Sequence, residues 1–319
     1  MNIKHNFDFD PTCGFSEKEL LQISAPDYQP EDYVSFWEKT YKEASEIPVK
    51  IFSKEELWSP EPDIKIWEIS FASWADIEIG AWIIRPEKSR GGLVQCHGYG
   101  SRVWFDITWA KEEGLTCIFP CIRGLGLSTH SEIPWETKKH VLHKIDSRDE
   151  YVLRGSVADL WQSASVLLNL FPDVKNNLNY TGSSFGGGLG ALSLAWDKRF
   201  RAGYLGVPTF GNNLIRLKYK STGSAEAQRL YMQEHPEIID VIKYYDASLA
   251  AKHITAKVLC APALFDPTVV PPGQFSIANA LNKSNEIFIV PAGHFQDPDN
   301  QEIYDKASLK QRELFRNVK

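Results

Sequence analysis

Leu178-Asn179-Tyr180-Thr181-Gly182-Ser183-Ser184-Phe185-Gly186-Gly187-Gly188 runs from a short apolar segment through a glycine-dense turn into a helical stretch. A side chain presented on a sharp strand-to-helix turn needs small residues two positions to either side, because the backbone there is strained and crowded. Ser184 has glycine at both, Gly182 and Gly186, whereas Thr181 precedes Ser183 by two. Ser184 is therefore the candidate nucleophile. The glycines could instead cradle a phosphate, but no lysine follows them and a phosphate-binding loop is a poor match.

Outward from this turn, short apolar runs lie at 93–96, 115–119, 178–181, 203–207, 258–264 and 287–290. Each ends in Gly, Pro or a polar residue, and helical stretches separate most of them, most clearly at 155–170 and 188–196. Runs without alternation suit strands buried on both faces of a parallel sheet. Upstream, 64–71 and 77–84 alternate around Ser73-Trp74-Ala75-Asp76, which predicts an antiparallel pair at the sheet edge. The first fifty residues read as helical. Pro30, Glu31 and Asp32 suit a first turn, and Tyr33, Phe36, Trp37, Thr40, Tyr41 and Ala44 follow at helical spacing. That aromatic stripe could be a ligand platform; docking of the helix on the core is the simpler reading. Residues 214–253 are polar and mostly helical, an insertion over one end of the sheet. The expectation is one α/β domain over 1–319, a mostly parallel sheet flanked by helices, with a helical N-terminal extension over 1–50.

Composition narrows the function. The chain has 319 residues, 43% hydrophobic and 24% charged, enough apolar material for a sizeable core. A net charge of −6 without a cluster of Lys and Arg speaks against nucleic acid and anionic membranes as partners. No basic segment followed by an apolar run opens the sequence, and no run of about 18 apolar residues occurs. Five cysteines, an odd number, favour reduced thiols and a cytoplasmic location. Cys117 and Cys121 would lie about 13 Å apart along one strand, beyond the roughly 7 Å a disulfide spans. They read as core thiols and not as a metal site.

A serine hydroxyl is a weak nucleophile until a base takes its proton, and that base is usually histidine. Of eight histidines, His294 stands out, because Ala292-Gly293 lead off the last apolar strand straight into it. Loops at strand ends are where such sheets place reactive groups. Asp266, directly after the run that ends at Phe265, is the candidate acid. Asp-Pro also starts turns, but the order Ser184, Asp266, His294, each at the end of its own strand, is that of the α/β-hydrolase triad. Asp297 and Asp299 suit less well, only a few residues beyond the base. The backbone N–H of Phe185 and, from the loop Cys96-His97-Gly98-Tyr99-Gly100, that of Tyr99 are the candidate oxyanion donors. His97 reads as holding this loop. Activity is expected to fall as the histidine base is protonated, below about pH 6 to 7.

Taken together, these residues resemble the acetyl xylan esterase and cephalosporin-C deacetylase family, from about residue 60 to the end. His97-Gly98-Tyr99-Gly100 looks like its oxyanion loop, and Arg123-Gly124-Leu125-Gly126-Leu127-Ser128 like its Arg-Gly-Gln-Gly-x-Ser motif. Tyr151-Val152-Leu153-Arg154-Gly155 is similar to its Tyr-x-x-Arg-Gly helix start, and 182–187 to its Gly-x-Ser-Gln-Gly-Gly. Asp266 with Pro271-Pro272, then Gly293-His294, complete the pattern. Leu125 and Phe185 stand where the family has Gln, and Phe295 where it has Glu. The resemblance implies hydrolysis of small acyl esters, acetyl above all, from carbohydrates or similar alcohols, with no metal or cofactor. It also implies a ring-like homo-oligomer, dimer or hexamer. Val207-Pro208-Thr209-Phe210 lies where the family narrows its acyl pocket, which makes Pro208 and Phe210 candidate substrate contacts. Trp104 could stack on a sugar, although a core role fits it equally. Two other readings stay open: an idle hydrolase fold serving as a binding module, and a peptidase. No triad member is missing, and no propeller-like repeats are there to gate a peptide.

Overall fold

The computed structural model describes residues 3–100 and 105–317. Its strands are β1 (Ile51–Leu57), β2 (Ile64–Ala72), β3 (Glu78–Pro86), β4 (Gly91–Cys96), β5 (Leu115–Pro120), β6 (Leu178–Ser183), β7 (Phe200–Gly206), β8 (Lys257–Ala261), β9 (Ala263–Phe265), β10 (Glu286–Ile287) and β11 (Val290–Ala292). Nine of them form one sheet, in the order β1-β2-β3-β5-β4-β6-β7-β8-β10. The pairings from β5 through to β10 are parallel, and those among β1, β2, β3 and β5 are antiparallel. This is the α/β-hydrolase arrangement. All six residues of β5 are buried, as a strand covered on both faces requires.

Parallel neighbours need crossovers, and helices Val152–Leu170 and Phe185–Leu194 lie in two of them. Helix Tyr33–Ser45 docks on the first through its aromatic stripe. Tyr33, Phe36, Trp37, Thr40 and Ala44 are buried, and the Trp37 and Tyr41 rings sit edge-on to Trp161 at 6.2 and 5.0 Å. Residues 214–253 supply short helices, Ser224–Glu234 and Ala247–Ala251 among them. Cys117 and Cys121 are both buried in the core. Among the described residues no helix is long and apolar enough to cross a membrane.

Three features depart from the sequence reading. The antiparallel pair β2–β3 is not at the edge, because β1 covers β2. With Ser53 to Glu56 exposed, β1 carries too little apolar signal to be read as a strand. Residues 1–50 are less helical than expected: helices cover Glu17–Leu20 and Tyr33–Ser45, and the segment before Ser16 runs without a helix. The runs 258–264 and 287–290 are each broken. Pro262, which has no N–H for a ladder, ends β8, and β9 pairs in parallel with β11 in a separate two-stranded sheet.

The C-terminal helix Gln301–Asn317 is fastened through Glu113, whose side chain is 1% exposed. Arg90 approaches its carboxylate at 2.9 Å, Arg312 at 3.2 Å and Arg316 at 2.7 Å. Burial pushes this carboxyl up, but the hydrogen bonds from Arg316 and Arg312 and the Arg90 charge outweigh it and leave the pKa lowered. A depressed folded-state value gives stability that is fully present above the unfolded carboxylate range and is lost as pH falls through the folded value. Because the arginines are partly in water, Glu113→Gln should cost about 1–3 kcal/mol at neutral pH. The gap to the wild type should close in acid, as measured by urea unfolding at both pH values.

Candidate active site

Ser184 closes β6 and opens helix Phe185–Leu194 with φ 58° and ψ −117°. A side chain with a Cβ pays on the order of 1–3 kcal/mol for such a backbone. Its N–H donates to the Gly206 carbonyl at 2.8 Å, and its carbonyl accepts from the N–H groups of Gly188 and Thr209 at 3.0 and 3.2 Å. The glycine spacing has a direct steric cause. A Cβ on Gly182 would stand 2.6 Å from the Gly186 carbonyl carbon, and one on Gly186 would stand 2.8 Å from the Cys96 carbonyl oxygen. The Tyr180 hydroxyl donates to the Gly186 carbonyl at 2.5 Å and braces the turn from below.

Asp266 and His294 meet because β9 and β11 are neighbours. Phe265 is in register with Ala292, so the residues that follow leave the pair side by side. The His294 Nδ1 lies 2.8 Å from Asp266 Oδ2. Gly293 makes this approach possible, since a Cβ there would sit 2.3 Å from Asp266 Oδ2. The Asp266 side chain is fully buried. Its Oδ1 accepts from the N–H groups of Thr268 and Val269 at 2.8 and 2.9 Å, and its Oδ2 accepts from Gln274 Nε2 at 2.9 Å. A carboxylate so surrounded by donors requires Nδ1–H on His294, which leaves Nε2 as the basic nitrogen. Asp297 instead engages Asn300 and Tyr304.

Val207 links the two halves. It follows Gly206, the acceptor of the Ser184 N–H, and its own N–H donates to Ala261 at 2.9 Å. Its Cγ1 would lie 2.8 Å from a Cβ on Gly293. Ser184, Val207, Phe210, Asn212 and His294 all hold φ between 37° and 68°. Strain of this kind gathers where a site over-determines its backbone.

Gly98 brings the oxyanion loop against the turn: a Cβ there would lie 3.8 Å from Ser184 Cβ. Phe185 is the first residue of its helix, so its N–H has no partner within the helix and points from the positive end of the dipole. His97 Nε2 accepts from the Ile122 N–H at 3.0 Å, which makes Nδ1 the donor to the Gly98 carbonyl at 2.7 Å. With both nitrogens committed, this histidine braces the loop.

Phe185, Leu125 and Phe295, which stand where the resembled family has polar residues, are engaged in packing. The Phe185 ring is buried and stacks on Tyr99 at 4.0 Å. Leu125 is also buried, and Phe295 packs on Phe265 at 5.1 Å and on Phe7 at 6.2 Å. Phe7 belongs to an N-terminal arm that crosses the acid and base loops. The Pro11 carbonyl accepts from the Asp266 N–H at 3.2 Å, and Asp8 pairs with Lys220. Pro208 and Phe210 are buried behind the turn, the Phe210 ring 6.1 Å from Phe185, so they bear on the site through the turn and through Phe185. Trp104 lies outside the described residues. The arm and Gln274 were not anticipated from the sequence. Alternation of Phe7 and Phe9 with polar residues was a usable signal for the arm, whereas nothing marked Gln274. Among the described residues no group of three or more His, Cys, Asp or Glu is placed to hold a metal ion.

The family model described as acetyl xylan esterase (AXE1) matches residues 13–310. An acetyl esterase, Axe7A, from Xylanibacter ruminicola is 21% identical over 303 residues, which are 91% of this chain and 68% of that protein. Acetyl xylan esterase 1 from Thermoanaerobacterium sp. superposes with a TM-score of 0.81 at 21% identity, over 94% of this chain and 99% of its own. An acetyl xylan esterase from Paenibacillus sp. R4 gives 0.83 at 17% identity with the same coverage. Likeness at such identities establishes the fold, and the match along most of the chain establishes the kinship. A serine carboxylic ester hydrolase, this chain belongs to the acetyl xylan esterase family.

Proposed function

We propose that the protein removes small acyl groups, acetyl first, from carbohydrate or related esters through an acyl-enzyme on Ser184. The observation that carries this reading is the 2.8 Å bond from His294 Nδ1 to a buried Asp266, with Val207 packed between Gly293 and the Gly206 carbonyl that holds the strained Ser184. Ser184 Oγ attacks the ester carbonyl while His294 Nε2 takes the hydroxyl proton. The N–H groups of Phe185 and Tyr99 receive the oxyanion. Collapse expels the alcohol, which takes the proton from His294. Water, deprotonated by the same nitrogen, then attacks the acyl carbonyl, and His294 hands that proton to Ser184 Oγ as the carboxylic acid leaves. Asp266 keeps the imidazole in the required tautomer throughout. The match to the acetyl xylan esterase family supports a short acyl group.

Rates on nitrophenyl acetate, butyrate and octanoate, beside acetylated xylo-oligosaccharide, test the substrate class. Acetate should exceed octanoate by at least about tenfold in kcat/KM, the scale on which apolar pockets discriminate chain length. A preference for octanoate would contradict the small-acyl reading. The homo-oligomeric ring that the family resemblance implies belongs to the same proposal and is checked by light scattering.

A further inference from the structure

Tyr99 and Phe185, whose backbone N–H groups receive the oxyanion in the reading above, also meet through their side chains. Their rings stack with centroids 4.0 Å apart and planes 23° apart. Against both stands His140, edge-on to Tyr99 at 5.5 Å and to Phe185 at 6.0 Å. Its Nε2 lies 2.9 Å from the Arg123 carbonyl, an acceptor, so Nε2 carries the proton. Its Nδ1 is then an acceptor, and the Tyr99 hydroxyl donates to it at 3.0 Å. Burial of His140 drives its pKa down to about 4 and keeps this neutral form at working pH.

The far end of the relay is rigid. Arg123 donates to the fully buried Asp159 from its backbone N–H at 3.1 Å, from Nε at 3.0 Å and from a terminal nitrogen at 2.8 Å. Ser73 adds a fourth donor at 2.6 Å. The near end is the opposite. Tyr99 stands between Gly98 and Gly100, the latter at φ +101°, so the loop backbone alone does not fix it. Its side chain ties it down, through the stack on Phe185 and the bond to His140.

We propose that His140 is a positioning residue of the oxyanion hole, which fixes the Tyr99 hydroxyl and thereby aligns the stacked pair whose backbone N–H groups face the reacting carbonyl. This rests on the acyl-enzyme reading above. A histidine serving the core alone would affect stability, whereas one that aligns donors affects turnover, because those donors act mainly on the transition state.

Tyr99→Phe, His140→Leu, their combination and His140→Gln separate these cases, with kcat and KM measured on nitrophenyl acetate and thermal unfolding recorded for each. Tyr99→Phe, which keeps the stack and removes only the hydroxyl, should lower kcat about tenfold with KM within about twofold, a part of the 10²–10³ that a lost donor costs. His140→Leu should lower kcat about 30-fold, and adding Tyr99→Phe to it should cost little more, since both break one link. His140→Gln, whose amide can accept from Tyr99 and donate to Arg123, should recover most of the loss. Wild-type kcat in Tyr99→Phe, losses that multiply in the double variant, or losses confined to KM would overturn the proposal. Should His140→Leu fail to fold, Tyr99→Phe and His140→Gln still decide it. A fluorophosphonate that leaves wild-type Ser184 unlabelled would sink the acyl-enzyme reading itself; a labelled Ser184 with an unaffected Tyr99→Phe would sink only the role of His140.

Discussion

Ser184→Ala should lower kcat on nitrophenyl acetate about a million-fold and leave the melting temperature close to that of the wild type. The size follows from the triad acting as one unit: without Oγ there is no acyl-enzyme, and His294 has nothing to deprotonate. The structural neutrality follows from the bonds that hold the turn. They run from the Ser184 backbone to Gly206, Gly188 and Thr209, and its side chain caps nothing in the helix it begins. Alanine keeps the same Cβ in the same strained backbone, so its effect on stability should stay within about 1 kcal/mol. A rate within tenfold of the wild type would remove Ser184 from the mechanism.

Asp266→Asn should lower kcat about ten-thousand-fold. An amide is nearly isosteric with the carboxylate but carries one NH2 group, and Asp266 is surrounded by donors. If that NH2 faces Thr268 and Val269, it opposes two backbone N–H groups that now donate at 2.8 and 2.9 Å. If it faces the other way, it opposes Gln274 Nε2 and turns a donor towards His294. In that orientation the imidazole must accept at Nδ1 and carry its proton on Nε2, the tautomer unable to deprotonate Ser184. Either orientation also leaves a buried donor without a partner, at about 1–3 kcal/mol. Unlike Ser184→Ala, then, Asp266→Asn should lose both rate and stability, and kinetics paired with urea unfolding will distinguish the two. Comparable kinetics in Asp297→Asn would move the acid to the wrong side of the loop.

Ser184 was legible in the sequence because its constraint is local. Gly182 and Gly186 touch each other across it, and a five-residue pattern records that contact. Asp266 and His294 were legible through their order along the chain, but their closeness was not. It depends on β9 and β11 leaving the main sheet together, a break hidden inside runs that read as continuous apolar strands. The strand β1 was missed because edge strands carry charge on their open surface, and Ser-Lys-Glu-Glu at 53–56 resembles a loop. Phe185 and Phe295 were read as lost polarity; in three dimensions they are gained contacts, with Tyr99 and with the N-terminal arm. His140 and Gln274 were invisible for a simpler reason. A single polar residue that reaches Tyr99 or Asp266 through one bond leaves no periodic trace in the sequence.

The most direct test of the acyl-enzyme account is covalent labelling with a fluorophosphonate, followed by peptide mapping by mass spectrometry. One adduct is predicted, on the peptide that contains Ser184, with labelling at least about a thousandfold slower in His294→Ala because the hydroxyl then lacks its base. An adduct on another residue, or His294→Ala labelled as fast as the wild type, would contradict it.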